Sequence, residues 1–368
     1  MKRGLILWDK RELPQEEFQS RIDKVKNFMS SKKLDAVLIY GDANQSSNLS
    51  YLTNFIPYAD TGIFIMPLSG SPRLFTTHAC RNMPWFRTIT WVEDIVCTNS
   101  MGEECLKYLR SIDLSEKKIG LIHTRALPYP DFELFQNQLN WEFLDVTDEF
   151  EYSRAIKSEY ELSFINEASN IAKESFKKLN HIVRPGISGF EIAAEVELFG
   201  REKGAEDLFC YIQPDNSPQG LTLPTSQQIK HHCSIELSIE YKSYWAKMGR
   251  TLVTEKSAEI SNASLEKFSR ICQNATDLLR SGQKPLEFCQ ALKGRLAKVE
   301  GANETMIYFD LGLEPYWSTH LNDNLNRQFE KNMVFYLKVL MTFQDDLNLL
   351  QTDTYLIQEA KPLQLTSL

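Results

Sequence analysis

Helical and strand patterns alternate through the first 150 residues, and this alternation constrains the fold more than any other feature. Apolar residues recur at helical spacing in EEFQSRIDKVKNFMSSKKL. A short apolar run ended by Gly41, DAVLIYG, follows and is typical of a buried strand. Further strands are predicted by GIFIMPL, PRLFTT and KKIGLIHT, and a further helix by EECLKYLRSI. The pattern predicts one α/β domain over residues 1–150.

The remaining residues, 151–368, are predicted to form a second domain of the mixed α+β class. Ser158 with Glu161, and Ser188 with Glu191, have the spacing of capping boxes that begin two helices. Strand patterns then follow in CSIELSIEY, YWAKMGRTLVT, MVFYLKVLMTFQ and DTYLIQEAKPLQL. The fold class expected from sequence is therefore α/β plus α+β.

Charge, hydropathy and cysteine usage exclude several classes of partner. The net charge is −8, which argues against nucleic acid as the main partner, because binding a polyanion requires a basic face. No apolar run is long enough to cross a membrane, and the one near the first residue is too short for a signal peptide. The seven cysteines include no C-x-x-C pair, which predicts reduced thiols in a cytoplasmic protein.

Five segments in a fixed order carry a resemblance to a known family. They are RIDKVKNFMSSKKLDAVLI, NLSYLTNF, SRAIKSEYELSFINEASNIA, VRPGISGFEIAAEVELFGREKGAE and NMVFYL. Together they resemble the creatinase, prolidase and aminopeptidase-P family over nearly the whole chain. The resemblance implies a creatinase-like N-terminal α/β domain followed by a pita-bread domain. It also implies a homodimer.

The resemblance fails at the positions where metal-binding members of that family hold a pair of divalent ions. Those members use two aspartates, one histidine and two glutamates. The matching positions here, in the same order, hold Glu236, Lys247, Phe309, Lys338 and Thr352. Only Glu236 can serve as a ligand for a hard cation, and a lysine ammonium would repel the ions. The sequence therefore predicts no metal and no other cofactor.

Two interpretations of these substitutions stay open. In one, Glu236 pairs with Lys247 and Lys338 and the former site is closed by an ion pair. In the other, the two lysines hold the carboxylate of a small-molecule ligand, since the three side chains together carry one excess positive charge. The candidate catalytic residues are Glu236, Lys247 and Lys338, together with His320, whose loop borders the active cleft in the family.

The candidate substrate-binding residues are chosen by the same resemblance. Tyr316 and Trp317 fall on the family's second cleft motif and are expected to line or fill the cleft. Gln219 falls near a substrate-binding histidine of the family. The remaining candidates lie at or beside the former ligand positions and are Phe309, Arg250 and Thr352.

Three functions remain open. The first is a metal-independent pita-bread protein that acts on or binds a small amino-acid-like or carboxylate ligand, with C–N bond chemistry of the creatinase kind. The second is a non-catalytic pseudo-peptidase that serves as a binding or interaction protein. The third is a metal-dependent Xaa-Pro aminopeptidase or prolidase. The sequence does not decide whether the protein is an enzyme, and an open or a filled cleft distinguishes the first function from the second.

Overall fold

The chain divides into two compact units between Ser153 and Arg154. They are named here the first unit, which ends at Ser153, and the second unit, which begins at Arg154. Within the described residues, no helix has both the length and the apolar character needed to cross a bilayer. A computed structural model describes residues 7–138, 140–215, 217, 219–254, 262–299, 302–313, 327–343, 348–359 and 361–368.

The first unit alternates helices and strands, as its sequence pattern predicts. The division between the units falls within its last helix, α6. Its helices are α1 (Gln15–Lys32), α2 (Ser47–Thr53), α3 (Met83–Ile89), α4 (Met101–Ser111), α5 (Tyr129–Gln136) and α6 (Thr147–Ala155). Its strands are β1 (Ala36–Asp42), β2 (Thr61–Pro67), β3 (Arg73–Thr76), β4 (Ile95–Cys97), β5 (Lys118–Ile122) and β6 (Glu142–Asp145).

The six strands form one mixed sheet in the order β4-β3-β2-β1-β5-β6. Strand β1 lies inside it, antiparallel to β2 and parallel to β5. Val37 and Ile39 join one apolar core, whereas Leu38 and Tyr40 point to the opposite face and join another. Both faces of β1 are thus covered, which is why its sequence is a continuous apolar run and does not alternate.

Arg21 forms a buried ion pair within α1 and ties that helix to α2. The Arg21 side chain, 2% exposed, donates through Nε to Glu17 (2.9 Å) and through Nη1 to the carbonyl of Tyr51 (2.8 Å). Its guanidinium also lies over the rings of Phe18 and Tyr51, at 5.2 and 4.5 Å. Arg21 therefore compensates the charge of a carboxylate that has almost no contact with water.

His78 sits in an aromatic pocket of the first unit and contacts Asp60. Its Nδ1 lies 2.7 Å from a carboxylate oxygen of Asp60, and its ring packs against Phe55 and Phe86. Burial lowers the pKa of His78, and Asp60 opposes this only in part. Nε2 is buried and has no hydrogen-bond partner among the described residues, as suits a neutral imidazole.

This environment predicts a loss of stability in acid. The unfolded chain takes up a proton at His78 below about pH 6.5, whereas the folded chain resists it until a lower pH. The contribution is therefore complete above about pH 6.5 and is lost as the pH falls toward the lower folded-state pKa. We expect the Tm of the wild type to fall more steeply between neutral pH and pH 5 than that of His78→Phe. Parallel Tm curves for the two proteins would contradict this assignment.

The second unit opens with two capped helices, as their sequence spacing predicts. In both capping boxes the serine accepts from the backbone of the glutamate, which in turn accepts from the serine N–H. Its helices are α7 (Glu159–Ile182), α8 (Gly189–Glu202), α9 (Asn262–Gln273) and α10 (Pro285–Leu296). Its strands are β7 (Asp207–Pro214), β8 (His232–Tyr241), β9 (Tyr244–Val253), β10 (Ala302–Asp310), β11 (Val334–Phe343), β12 (Asn348–Leu356) and β13 (Leu363–Gln364).

Six of these strands follow one another in the order β10-β11-β12-β9-β8-β7, and β13 pairs with β12. In β8, Ile235, Leu237 and Ile239 point to one face and join an apolar core with residues of α7 and α8. The alternate residues of β8 are polar and point the other way. This second face of the sheet carries the candidate site.

Candidate functional site

Strand alternation and strand pairing decide which side chains share the polar face of the second sheet. Residues directly opposite one another on paired strands point to the same side of a sheet. Gly249 lies opposite both Glu236 and Thr352, and Thr352 lies opposite Lys338. Lys247 joins the same side because it pairs with Ser238, two residues beyond Glu236. The name polar face is used below for the side of the sheet that carries these residues.

The carboxylate of Glu236 is bound on two sides. Thr352 Oγ1 donates to Oε2 at 2.6 Å, and Lys338 Nζ lies 3.2 Å from Oε2 and 3.4 Å from Oε1. The side chain of Glu236 is 3% exposed and that of Lys338 is 12% exposed. A Cβ at position 249 would come within 2.9 Å of Thr352 Oγ1, so Gly249 leaves the space in which Thr352 reaches Glu236.

Lys247 is held on the same face but against different groups. The residue is fully buried, and its Nζ lies 5.0 Å from the centre of the Tyr336 ring, where a cation–π attraction operates. Its backbone N–H donates to Thr354 Oγ1 at 2.8 Å. Tyr336 is fixed in turn because its hydroxyl donates to the carbonyl of Trp245 at 2.9 Å. The polar face thus brings Lys247 onto the same side as Glu236 and Lys338.

The polar face also holds acidic residues that the sequence analysis missed. Glu240 lies four residues after Glu236 on β8, so the two side chains point to the same face, and Glu240 is fully buried. With Glu240 included, the acidic side chains of this face equal the two lysines in number, and Asp310 adds a third, which corrects the expected excess of one positive charge. Asp310 also points to this side, since it pairs with Tyr336. The signal for Glu240 was present in the alternation of IELSIEY.

Two residues expected beside the ligand lie on the opposite face of the sheet. Phe309 is 2% exposed and stacks on Phe335, with 5.2 Å between ring centres. Arg250 donates to Asp353 at 2.7 Å and to the carbonyl of Thr352 at 2.8 Å. Each follows directly after a residue on the polar face, Tyr308 or Gly249. Strand alternation therefore turns Phe309 and Arg250 away from Glu236. The structure places both on the face opposite Glu236, and their substrate-binding role stays a prediction.

The other expected site residues lie away from the strands or beyond what the structure describes. Gln219 is exposed, and its side-chain oxygen accepts from Ser217 Oγ (3.0 Å) in the loop after β7. His320, Tyr316 and Trp317 lie outside the described residues. An aromatic residue that was not expected lies near Lys338: Tyr308 is 36% exposed, and Lys338 Nζ lies 5.5 Å from its ring centre.

The arrangement is suited to holding charge. The charged and hydroxyl groups of the polar face lie in surroundings from which water is largely excluded, and this strengthens each electrostatic contact. Lys338 and Tyr308 are its more accessible members. Among the described residues, no group of three or more histidine, cysteine, aspartate or glutamate side chains has the geometry to hold a metal ion.

Family models match both halves of the chain. Residues 21–156 match the Creatinase/Prolidase N-terminal domain. Residues 163–359 match Metallopeptidase family M24.

Individual relatives and solved structures are similar over long stretches. An uncharacterised peptidase of Bacillus subtilis (strain 168), YqhT, is 22% identical over 245 residues, which cover 65% of this chain and 66% of the relative, just under two thirds of its length. An Xaa-Pro dipeptidase of Pyrococcus horikoshii is 26% identical over 265 residues, which cover 69% of this chain and 71% of that protein. The prolidase structure from Pyrococcus horikoshii OT3 superposes with a TM-score of 0.79 at 21% identity, over 95% of this chain and 98% of that one. For the X-Pro aminopeptidase of Thermotoga maritima MSB8 the TM-score is 0.78 at 18% identity, over 94% of this chain and 97% of that one. Likenesses at these identities establish the fold.

Proposed function

Because the chain belongs to metallopeptidase family M24, and a creatinase/prolidase N-terminal domain precedes that region, we propose that its polar face binds a small amino-acid-like ligand without a metal pair. The family resemblance read from the sequence is confirmed by these matches. So is the fold class, a creatinase-like N-terminal α/β domain followed by a pita-bread domain. What is bound, and whether a reaction follows, belongs to the proposal.

The donor set argues against the family's pair of divalent ions. Two such ions require several carboxylate oxygens, both as ligands and as countercharge. Of the five matching positions only Glu236 offers a carboxylate, and its oxygens already accept from Lys338 and Thr352. A second position places the Lys247 ammonium on the same face. The residues present therefore do not fit the metal pair, and no step through metal is proposed.

One observation carries the proposal: the Glu236 carboxylate and the Lys338 ammonium form an ion pair beside the more exposed ring of Tyr308. An amino-acid-like ligand carries both an ammonium and a carboxylate. The ligand carboxylate can bind the Lys338 ammonium while the ligand ammonium binds the Glu236 carboxylate, so that no charge is left uncompensated. Glu236, Glu240 and Asp310 lie on the same face as Lys247 and Lys338, and this number of acidic side chains favours a zwitterion over a simple anion.

Metal content gives the first test of the proposal. We expect the purified full-length chain to contain no stoichiometric manganese, zinc or cobalt, and added metal to leave its Tm unchanged. The reason is that ammonium groups stand where the family has two of its anionic ligands. Elemental analysis after dialysis measures the content, with a metal-dependent prolidase treated in parallel as the control. Two ions per chain would overturn the metal-free site.

Ligand binding gives the second test. We expect zwitterionic amino acids or Xaa-Pro dipeptides to bind in calorimetric titrations and acetate to bind much more weakly. A charge-assisted hydrogen bond is worth about 1.5–3 kcal/mol, so Lys338→Met should weaken binding by roughly 10- to 150-fold. Lys338→Arg keeps the charge and should retain most of the affinity. Circular dichroism of each variant at the titration temperature confirms that it is folded.

The matched control is Lys331→Met, which removes an exposed ammonium paired with Glu359 on the same unit. We expect it to bind as the wild type does. Equal affinities for the wild type and a folded Lys338→Met would end the proposed role of this lysine. If none of the amino acids or Xaa-Pro dipeptides binds, the second candidate function is favoured.

That second candidate is a non-catalytic pseudo-peptidase that serves as a binding or interaction protein. A specific observation favours it, because Glu236 and Lys247 are almost completely buried and contact other parts of the sheet. An ion pair of this kind can fill a former site without receiving a ligand. The third candidate, a prolidase-like hydrolase, is supported by the similarity to the Xaa-Pro dipeptidase of Pyrococcus horikoshii.

Several further expectations from the sequence stay predictions. Catalysis by Glu236, Lys247, Lys338 and His320 is among them, since a reaction needs a proton donor or acceptor at the substrate. The homodimer and the cytoplasmic location also stay predictions. The proposal itself concerns binding at the polar face and does not depend on any of these.

A further inference from the structure

Two tyrosines lie on the outer strands of the polar face, each opposite one member of the ion pair. The strand order of the second sheet ends at β10 on one side and at β7 on the other. Tyr308 on β10 pairs with Lys338, and Tyr211 on β7 pairs with Glu236. Directly opposite residues share a face of the sheet, with their Cβ atoms about 4.5–5.5 Å apart. Both tyrosine side chains therefore belong to the polar face.

Two further aromatic residues lie on the β7 side of this face. Phe209 precedes Tyr211 by two residues and therefore points to the same side of the sheet. Its ring packs against that of Trp245, with 5.6 Å between ring centres. Trp245 pairs with Glu240 and so belongs to the polar face as well. The β7 side thus carries three aromatic side chains.

The more accessible neighbours of the ion pair are aromatic, whereas the strands between its two members carry small buried residues. Tyr308 is 36% exposed, and Tyr211 and Phe209 are half-buried. Gly249 and Thr352, on the two strands between Glu236 and Lys338, are buried. A ligand that reaches the ion pair from solvent therefore contacts aromatic rings as well as charges.

We propose that the ligand of the polar face is an amino acid with an aromatic side chain, and that Tyr308 selects it. Of the rings named here Tyr308 is the most exposed, and its centre lies 5.5 Å from Lys338 Nζ, where the ligand carboxylate binds. A ligand ring that packs on Tyr308 removes apolar surface from water and adds an aromatic contact. This inference rests on the proposed function, because it names the class of zwitterion that is bound.

Tyr211 has a different role at the other end of the ion pair. It lies opposite Glu236, where the ligand ammonium binds. An ammonium group held by a carboxylate beside an aromatic ring gains a cation–π attraction. Every amino acid carries that ammonium, whereas only an aromatic one carries a ring. Tyr211 therefore contributes to the affinity for all amino acids, and Tyr308 to the discrimination among them.

Calorimetric titrations of the full-length chain with phenylalanine, alanine and glutamate test the proposal. We expect the wild type to bind phenylalanine roughly tenfold or more tightly than alanine, because a large apolar side chain is removed from water. Glutamate should bind no more tightly than alanine. Tyr308→Ala should lower the affinity for phenylalanine severalfold and leave that for alanine unchanged. Tyr211→Ala should weaken both by the same factor and keep their ratio.

The matched control is Tyr160→Ala, which removes a 41% exposed tyrosine of α7 and should change neither affinity. Circular dichroism confirms that each variant is folded. Equal binding of phenylalanine and alanine by the wild type would overturn the aromatic preference and leave zwitterion binding in place. If no amino acid binds, both proposals fail. A folded Tyr308→Ala variant with the wild-type ratio of affinities would contradict the role of Tyr308, whether or not both affinities fall.

Discussion

Replacement of Lys338 by methionine is expected to lower the free energy of unfolding by about 3 kcal/mol. Removal of one partner from a buried ion pair typically costs 3–5 kcal/mol, because the other charge is left uncompensated. Here the side chain of Glu236 is 3% exposed, but that of Lys338 is 12% exposed, so the lower end of that range applies. Thr352 still donates to Glu236 in the variant, yet one hydroxyl cannot neutralise a carboxylate. Urea denaturation followed by circular dichroism measures the loss.

A second substitution separates the stranded charge from the loss of packing. In the double variant Glu236→Gln with Lys338→Met, no uncompensated carboxylate remains, and we expect at least half of the stability to return. Lys331→Met is the matched control, because its partner Glu359 is exposed and solvent screens that pair. We expect no measurable change there. A single Lys338→Met variant as stable as the wild type would mean that the ion pair does not hold Glu236 in the fold.

Replacement of Arg21 by methionine is expected to destabilise the first unit by about 3–5 kcal/mol. Methionine fills the space between Phe18 and Tyr51 but donates neither to Glu17 nor to the Tyr51 carbonyl. A buried carboxylate and a backbone acceptor thus both lose their donor. For a unit of this size the loss corresponds to a Tm lower by roughly 10 °C. Differential scanning calorimetry measures this shift.

Arg11 offers the matched control for this second variant. It forms an ion pair with Asp9 on the same unit, but its side chain is 90% exposed. Arg11→Met should leave the Tm unchanged, since water screens the interaction and solvates the remaining carboxylate. Glu17→Gln combined with Arg21→Met should recover part of the loss. A Tm shift in Arg21→Met no larger than that of Arg11→Met would contradict the assignment of Arg21 as a buried charge partner.

Much of the fold was predictable because local patterns determine it. The alternation in the first 150 residues indicated an α/β unit, and the unbroken apolar run of β1 indicated a strand covered on both faces. The serine and glutamate spacings at 158–161 and 188–191 fixed where two helices begin, and both capping boxes are present. These features depend on residues within a few positions of one another.

The polar face was only partly predictable. Glu236 and Lys338 were expected together because both match metal-ligand positions of the family, and they lie 3.2 Å apart. Glu240 was readable from the period of β8 and was missed. Phe309 matches a ligand position too, yet its strand turns it toward Phe335 on the opposite face.

The sequence by itself determined the family, the order of helices and strands, and the loss of the family's ligand residue types. Tertiary structure alone decided which of those residues face one another. The pairing of Gly249 with Thr352 joins strands about 100 residues apart, and so does the Arg250 contact with Asp353. A shift of one residue in such a pairing turns every side chain to the other face. The register between distant strands depends on the packing of the whole sheet, so no local pattern within β9 or β12 could reveal it.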